Sequence, residues 1–221
     1  KQNRVIQENS KIPALIAANI EAGGDGGVGG GTHFGHHVTI GATQDKENAY
    51  KLGYYGCKEA AAIGCNWTFA PIVDINKNWR NCVVSSRCFS SEAEQVLDMS
   101  KEYLRGAKDA GLASCMKHFP GDGLDERDQH IVTTNNDMSV EEWEENFGNV
   151  YRGMIDAGVE AVMIGHIRLP EMSRKLRPGI KDNEIMPATI APELLQDLLR
   201  DELGFNGLVI TDATHMVGLT S

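Results

Sequence analysis

The chain has 221 residues, 41% of them hydrophobic and 24% charged, which is material for one sizeable core and unlike a disordered or fibrous sequence. Its formal net charge is −10 and no cluster of Lys and Arg stands out. Such a field repels phosphate backbones, so nucleic acid is not an expected partner. No apolar run approaches the roughly 18 to 20 residues of a bilayer crossing, and the opening KQNRVIQENSK has no secretory core, so no membrane partner is expected either. The five cysteines are odd in number and form no CxxC pair. That usage favours reduced thiols and a cytoplasmic location over a disulfide scaffold.

Short apolar runs rich in β-branched residues alternate with stretches of helical period, as in a parallel α/β fold. A first strand is predicted near 13–20 (PALIAANI), followed by a loop with seven glycines in nine residues at 23–31. A helix near 46–63 aligns Ala49, Leu52, Gly56, Ala60 and Ile63 and stops at Gly64. After a strand near 65–75 (CNWTFAPIVDI), a helix near 92–110 aligns Ala93, Val96, Leu97, Ser100, Leu104 and Ala107 and stops at Gly111. A third strand falls near 112–119 (LASCMKHF). Ser139 and Glu142 have capping-box spacing, and Trp143, Phe147, Val150 and Met154 then form an apolar stripe ending near Gly158. A fourth strand near 159–167 leads to a helix with Pro192 near its start, Leu194, Leu195, Leu198 and Leu199 inside, and Gly204 after it. The last strand is near 207–213 (GLVITDA).

Successive strands start about 50 residues apart, longer than a minimal βα unit, so each repeat has loop to spare for a site. Five units are too few for a closed eight-stranded barrel, which takes about 250 residues. The predicted strands begin near the first residue and end near the last, so the fold class is α/β: an incomplete segment of a (β/α)8 TIM-like barrel, forming one domain over 1–221. An open doubly wound sheet is the alternative.

In a parallel barrel the site lies at the carboxyl ends of the strands. Polar residues stand at every predicted end: Asn19 and Glu21, Asp74, Lys117 and His118, His166, and Asp212. Asp212 closes the apolar run LVIT, where a carboxylate needs partners or a cavity; it would otherwise cap the next helix, and Asp74 has the same ambiguity. Lys117, beside a second basic residue, suits the oxygens of a ligand. Asp128 and His130 sit two apart in the loop after KHFPGDG, where a carboxylate can hold an imidazole in one tautomer and raise its basicity, making a proton shuttle. The glycine-rich loop lacks the Lys-Ser/Thr ending of a P-loop. His33, His36 and His37 read as part of a solvated loop, with a metal cluster as the lesser reading, and no cofactor or metal is expected. Trp67, Phe69 and Met163 read as core beneath the site.

In order, IPALIAANIEAGG, FAPIVDIN, SSRCFSSEAE, KHFPGDG followed by DQH, VMIGHIRLP and ELGFNGLVITDATHM resemble glycoside hydrolase family 3, in its bacterial β-N-acetylglucosaminidase branch. The resemblance covers nearly the whole chain, and 1–221 would be part of the family's N-terminal catalytic barrel. It implies a retaining mechanism and a carbohydrate substrate ending in β-linked N-acetylglucosamine. Asp212 matches the nucleophile. His130 matches the general acid/base with Asp128 as its partner, in place of the carboxylate of other branches. Asp74, Arg87, Lys117, His118 and His166 fall on sugar-binding positions, and Asn19 stands where the family usually has aspartate. Phosphorolysis, β-glucosidase or xylosidase activity, and a degenerate sugar-binding barrel are the alternatives.

Overall fold

The computed structural model describes residues 2–219. In chain order the elements are α1 (Gln2–Asn9), β1 (Ala17–Ala18), α2 (His37–Ala42), α3 (Lys46–Ala62), β2 (Trp67–Thr68), α4 (Ala93–Asp109), β3 (Ala113–Phe119) and β4 (Thr134–Asn135). They continue with α5 (Val140–Trp143), a π turn over Glu144–Gly148, α6 (Asn149–Asp156), β5 (Ala161–Ile164), β6 (Ile167–Arg168), α7 (Pro170–Leu176), a π-type helix over Glu193–Glu202 and β7 (Leu208–Thr211).

The five expected strands form one parallel sheet in the order β1-β2-β3-β5-β7. Chain order is kept across the sheet, whereas a doubly wound sheet reverses its order at a switch point. The sheet is therefore a stretch of barrel wall, and the doubly wound alternative falls. Each strand is shorter than its apolar run. In the second run the reason is Pro71, which has no N–H to donate to the ladder; pairing resumes as a single bridge between Ile72 and Lys117.

Side chains of β3 and β5 alternate between two cores, as the two-residue period requires. Met116, Val162 and Ile164 face the helices and join Leu52, Val96, Leu104, Trp143, Val150 and Leu198. Cys115, Ala161 and Met163 face the other way and pack with Trp67, under partly buried Phe69 and Ile210. The capping box is present, with the Glu142 amide donating to Ser139 Oγ at 3.2 Å and the Ser139 amide donating to Glu142 Oε2 at 2.9 Å. Gly111 and Gly158 follow their helices at φ 91° and 78°, a region costly for any residue with a Cβ.

Helices α3 and α4 pack backbone to backbone. A Cβ on Gly53 would lie 2.4 Å from the Tyr103 carbonyl oxygen, and one on Gly106 would lie 2.3 Å from that of Tyr50. Gly106→Ala must push the helices apart, so it lowers stability by about 3 kcal/mol, read as an earlier thermal or urea transition. An unchanged transition would show the pair to be loosely packed.

Among the described residues three α-helices, four single 3₁₀ turns and one strand pair lie outside the predicted elements. α1 precedes the first strand, but its QNRVIQEN sequence buries no residue and carries no apolar stripe. α2 and α7 are only six and seven residues long. β4 and β6 form a two-stranded parallel sheet too short to leave a sequence period. The helix starting beyond Pro192 is π-type rather than α, its Leu203 amide reaching the Leu198 carbonyl at 2.8 Å. All five cysteines are free thiols; Cys82 is exposed and the others are buried. No helix among the described residues is long and apolar enough to cross a membrane.

Candidate active site

The carboxyl ends of β1, β3 and β7 open into one cleft of about 370 Å³, together with Arg87 from the loop after β2 and His130 from the loop after β3. Asn19, Glu21, Lys117, His118, Asp212 and Ala213 line it, over Phe69, Met163 and Ile210. Lys117 and His118 both reach the cleft although they are neighbours in a strand. The register shifts between Lys117 and Phe119, and such an irregularity re-aims a side chain that alternation would turn away.

One wall of the cleft is a charge cluster. Arg87 donates twice to Glu21, Nε to Oε2 and Nη2 to Oε1, both at 2.8 Å. Lys117 Nζ lies 2.6 Å from Glu21 Oε1 and donates to Asn19 Oδ1 at 3.0 Å. Burial alone would raise the Glu21 carboxyl. The hydrogen bonds from Arg87 and the charge of Lys117 outweigh it and hold the group well below the usual carboxylate range. Two cations thus share one fixed anion, leaving a net positive wall studded with N–H donors, suited to hydroxyl oxygens.

Asp212 stands in the same cleft at the end of β7. Its amide donates to the Ile164 carbonyl at 2.8 Å, while its own Oδ1 accepts from the Ala213 amide at 2.7 Å. His118 Nε2 stands 3.9 Å from Asp212 Oδ2. The other nitrogen, Nδ1, is 2.7 Å from Asp74 Oδ2. Asp74 is fully buried, and its Oδ1 accepts the amides of His118 and Asp122 at 3.1 and 2.8 Å. It stands behind His118 as an orienting partner, where a sugar-contacting residue was expected.

His130 Nδ1 is 2.6 Å from Asp128 Oδ1, which also accepts the His130 amide at 2.8 Å. Burial works to raise the Asp128 carboxyl, but those two hydrogen bonds prevail and lower it. With Nδ1 committed to a carboxylate, Nε2 is the nitrogen left for the cleft. The loop end is tied to the segment after β7: the Val217 amide donates to the His130 carbonyl at 3.0 Å, and Thr133 Oγ1 donates to the Gly218 carbonyl at 2.6 Å.

The sequence matches the glycosyl hydrolase family 3 N-terminal domain over residues 1–221. The chain belongs to glycoside hydrolase family 3. Within the family it is 49% identical over 216 residues to a β-N-acetylglucosaminidase/β-glucosidase of Cellulomonas fimi, covering 98% of this chain and 38% of that one. It superimposes on a β-glucoside phosphorylase, BglX, bound to 2FGlc, with a TM-score of 0.94 and 42% identity, over 99% of this chain and 40% of that one. A family 3 β-N-acetylglucosaminidase from Paenibacillus sp. str. FPU-7 matches with a TM-score of 0.87 and 32% identity, over 99% and 40%. The chain thus spans about two fifths of the length of these family 3 relatives.

Against that family background, Asp212, His130, Asp128, Lys117, His118, Arg87 and Asn19 all gather at one cleft or beside it. His166 does not. It is fully buried, with Nδ1 2.7 Å from Thr189 Oγ1 and Nε2 3.1 Å from the Ala213 carbonyl, so both nitrogens are spent on holding the backbone next to Asp212. The expected ligand contact is replaced by a structural one. Glu21 is the converse case: noted only as a strand-end residue, it is the anion on which Arg87 and Lys117 converge. Its signal was its place two residues after Asn19, which in extended chain puts both on one side.

The histidines of the glycine-rich loop separate. His33 Nδ1 pairs with Asp25 at 2.7 Å, and its ring lies edge-on to His36 with centroids 5.7 Å apart. His37 is not solvated, contrary to expectation: it is 1% exposed and stacks on Phe89 with centroids 4.0 Å apart. Burial pushes its imidazole down to about 3, so it stays neutral. Among the described residues no group of three or more His, Cys, Asp or Glu is arranged to hold a metal.

Proposed function

We propose that this chain carries the catalytic cleft of a retaining β-glycosidase that removes terminal β-linked N-acetylglucosamine through a covalent glycosyl-Asp212 intermediate. The observation that carries the reading is that a strand-end carboxylate, Asp212, and a carboxylate-held imidazole, His130, line the same cleft as the donors Lys117 and Arg87. The names of the relatives support this substrate class.

In the first step an Asp212 oxygen attacks the anomeric carbon while the bond to the leaving oxygen breaks, and imidazolium His130 gives its Nε2 proton to that oxygen. In the second step neutral His130 takes a proton from water, whose oxygen attacks the same carbon and frees the Asp212 carboxylate. Asp128 fixes the His130 tautomer through both steps. His118, held by Asp74, faces the nucleophile and keeps its carboxylate in place, while Lys117, Arg87 and Asn19 orient the ring hydroxyls.

A second reading is favoured by one observation: the Asp128-held side chain lining the cleft, His130, is an imidazole, which as a neutral base would not repel an anionic acceptor as a second carboxylate would. Inorganic phosphate could then replace water and yield the glycosyl phosphate, in keeping with the similarity to a β-glucoside phosphorylase.

His130→Ala tests the first step. In the full-length protein kcat/KM, which reports the first step alone, falls by about 10²-fold or more on a phenyl β-N-acetylglucosaminide, whereas on a dinitrophenyl leaving group, which needs no proton, it is spared. Equal losses on both would remove His130 from the acid role. Product analysis in phosphate buffer separates free sugar from sugar phosphate, and a β-glucoside run in parallel decides the sugar.

A further inference from the structure

The loop over residues 124–132 exposes Glu126, Arg127, His130 and Ile131, yet Gln129, between Asp128 and His130, is fully buried. Its amide is used at both ends. Nε2 donates to Asp122 Oδ2 at 2.9 Å, and Oε1 accepts the His166 amide at 3.0 Å. The amide cannot flip, because either half would then meet its own kind. Asp122 is itself fixed: Oδ1 accepts Asn81 Nδ2 at 2.8 Å, and its amide donates to Asp74 Oδ1.

The socket is shaped for this side chain. A Cβ on Gly165 would stand 3.0 Å from Gln129 Oε1, and a Cβ on Gly218 would stand 2.0 Å from the Gln129 carbonyl oxygen. Glycines from two different strand-end segments therefore close around one loop residue. The segments beyond β5 and β7 meet the loop at Gln129, and the hydrogen bonds lead on through Asp122 and Asp74 to His118.

We propose that Gln129 is a positioning residue, latching the Asp128 and His130 pair over the cleft through Asp122 and the His166 amide. The proposal rests on His130 acting as the proton donor for its catalytic consequence, but the latch itself is a statement about the loop. Glu126 and Arg127 on one side and Ile131 on the other are exposed, while the Gln129 side chain holds the middle of the loop inward, beside the Asn81 bond to the Asp125 carbonyl and the Val217 bond to the His130 carbonyl. Losing its two hydrogen bonds frees the middle of the loop and loosens the aim of the imidazole at the leaving oxygen.

Gln129→Met keeps the volume and loses both hydrogen bonds; Asp122→Asn keeps the Asn81 contact and turns an amide donor toward Gln129. Both are read in the full-length protein by amide hydrogen exchange and by the pair of aryl glycosides. The latch predicts faster exchange across 124–132 with β3 and β5 unchanged. It also predicts a loss of about 30-fold in kcat/KM on the phenyl glycoside, and of less than about threefold on the dinitrophenyl glycoside. In a His130→Ala background Gln129→Met then adds nothing on the phenyl substrate. Unchanged exchange in the loop, equal loss on both substrates, or full additivity with His130→Ala overturns the latch. A wild-type protein that cleaves neither glycoside sinks the glycosidase reading, and the exchange result still decides the latch. If Gln129→Met fails to fold, Asp122→Asn carries the same readouts.

Discussion

Replacing Asp212 with alanine abolishes turnover while leaving the fold in place. Among the described residues the side chain accepts one hydrogen bond, from the amide of the next residue, and it stands 3.9 Å from His118. Little packing depends on it, so the thermal transition shifts by less than about 1 kcal/mol of stability. Chemistry depends on it wholly in a two-step mechanism, because no covalent intermediate forms without its oxygen. A fall in kcat/KM of about 10⁴-fold or more is expected on phenyl and dinitrophenyl glycosides alike, which distinguishes it from His130→Ala. A slow substrate bearing fluorine at C2 should label the wild type on Asp212 and leave the variant unlabelled in a peptide map. Residual activity above about one per cent would move the nucleophile elsewhere.

The second large effect is on stability. Glu21→Ala leaves Arg87 and the nearly buried Lys117 facing one another with no anion between them. Removing one member of a buried charge cluster costs about 3 to 5 kcal/mol, since the remaining charges lose their partner and not their burial. Glu21→Gln keeps the shape and tests the charge alone. The folded-state carboxyl lies well below its ordinary value of 4.5. Its contribution is therefore full above about pH 4.5 and declines as the pH falls below that, through the range where the unfolded chain takes up a proton and the folded one does not. The stability difference between wild type and Glu21→Gln, followed by urea unfolding, should be flat above pH 5.5 and shrink steadily toward pH 3. A difference that grew on acidification would mean that the carboxyl is not ionised in the cluster.

The barrel segment was legible in the sequence because its five strands are apolar runs set off by helices ending in glycine, features that survive without tertiary context. The pieces that escaped are short or solvated: α1 buries nothing, and β4 with β6 is two residues wide. At the site, strand-end position alone located Asn19, Lys117, His118 and Asp212. It could not tell a residue that faces the cleft from one that braces it. Asp74 and His166 obey the strand-end rule as well as the others do, yet both are sealed inside, one holding the His118 ring and the other the backbone beside Asp212. Asp122 and Gln129 left no trace, since Gly-Asp-Gly reads as a turn and a lone Gln in a charged loop reads as solvated. Their roles come from contacts between segments far apart along the chain.

The tie between the His130 loop and residues 217–218 has a kinetic consequence. Any displacement of the His130 backbone must either pull the stretch just past Asp212 along with it or break the bonds from Val217 and Thr133. Movement of the loop and the placing of Asp212 are thereby geared together. A chain lengthened between 213 and 216 would uncouple the two, so that the loop shifts without drawing on Asp212.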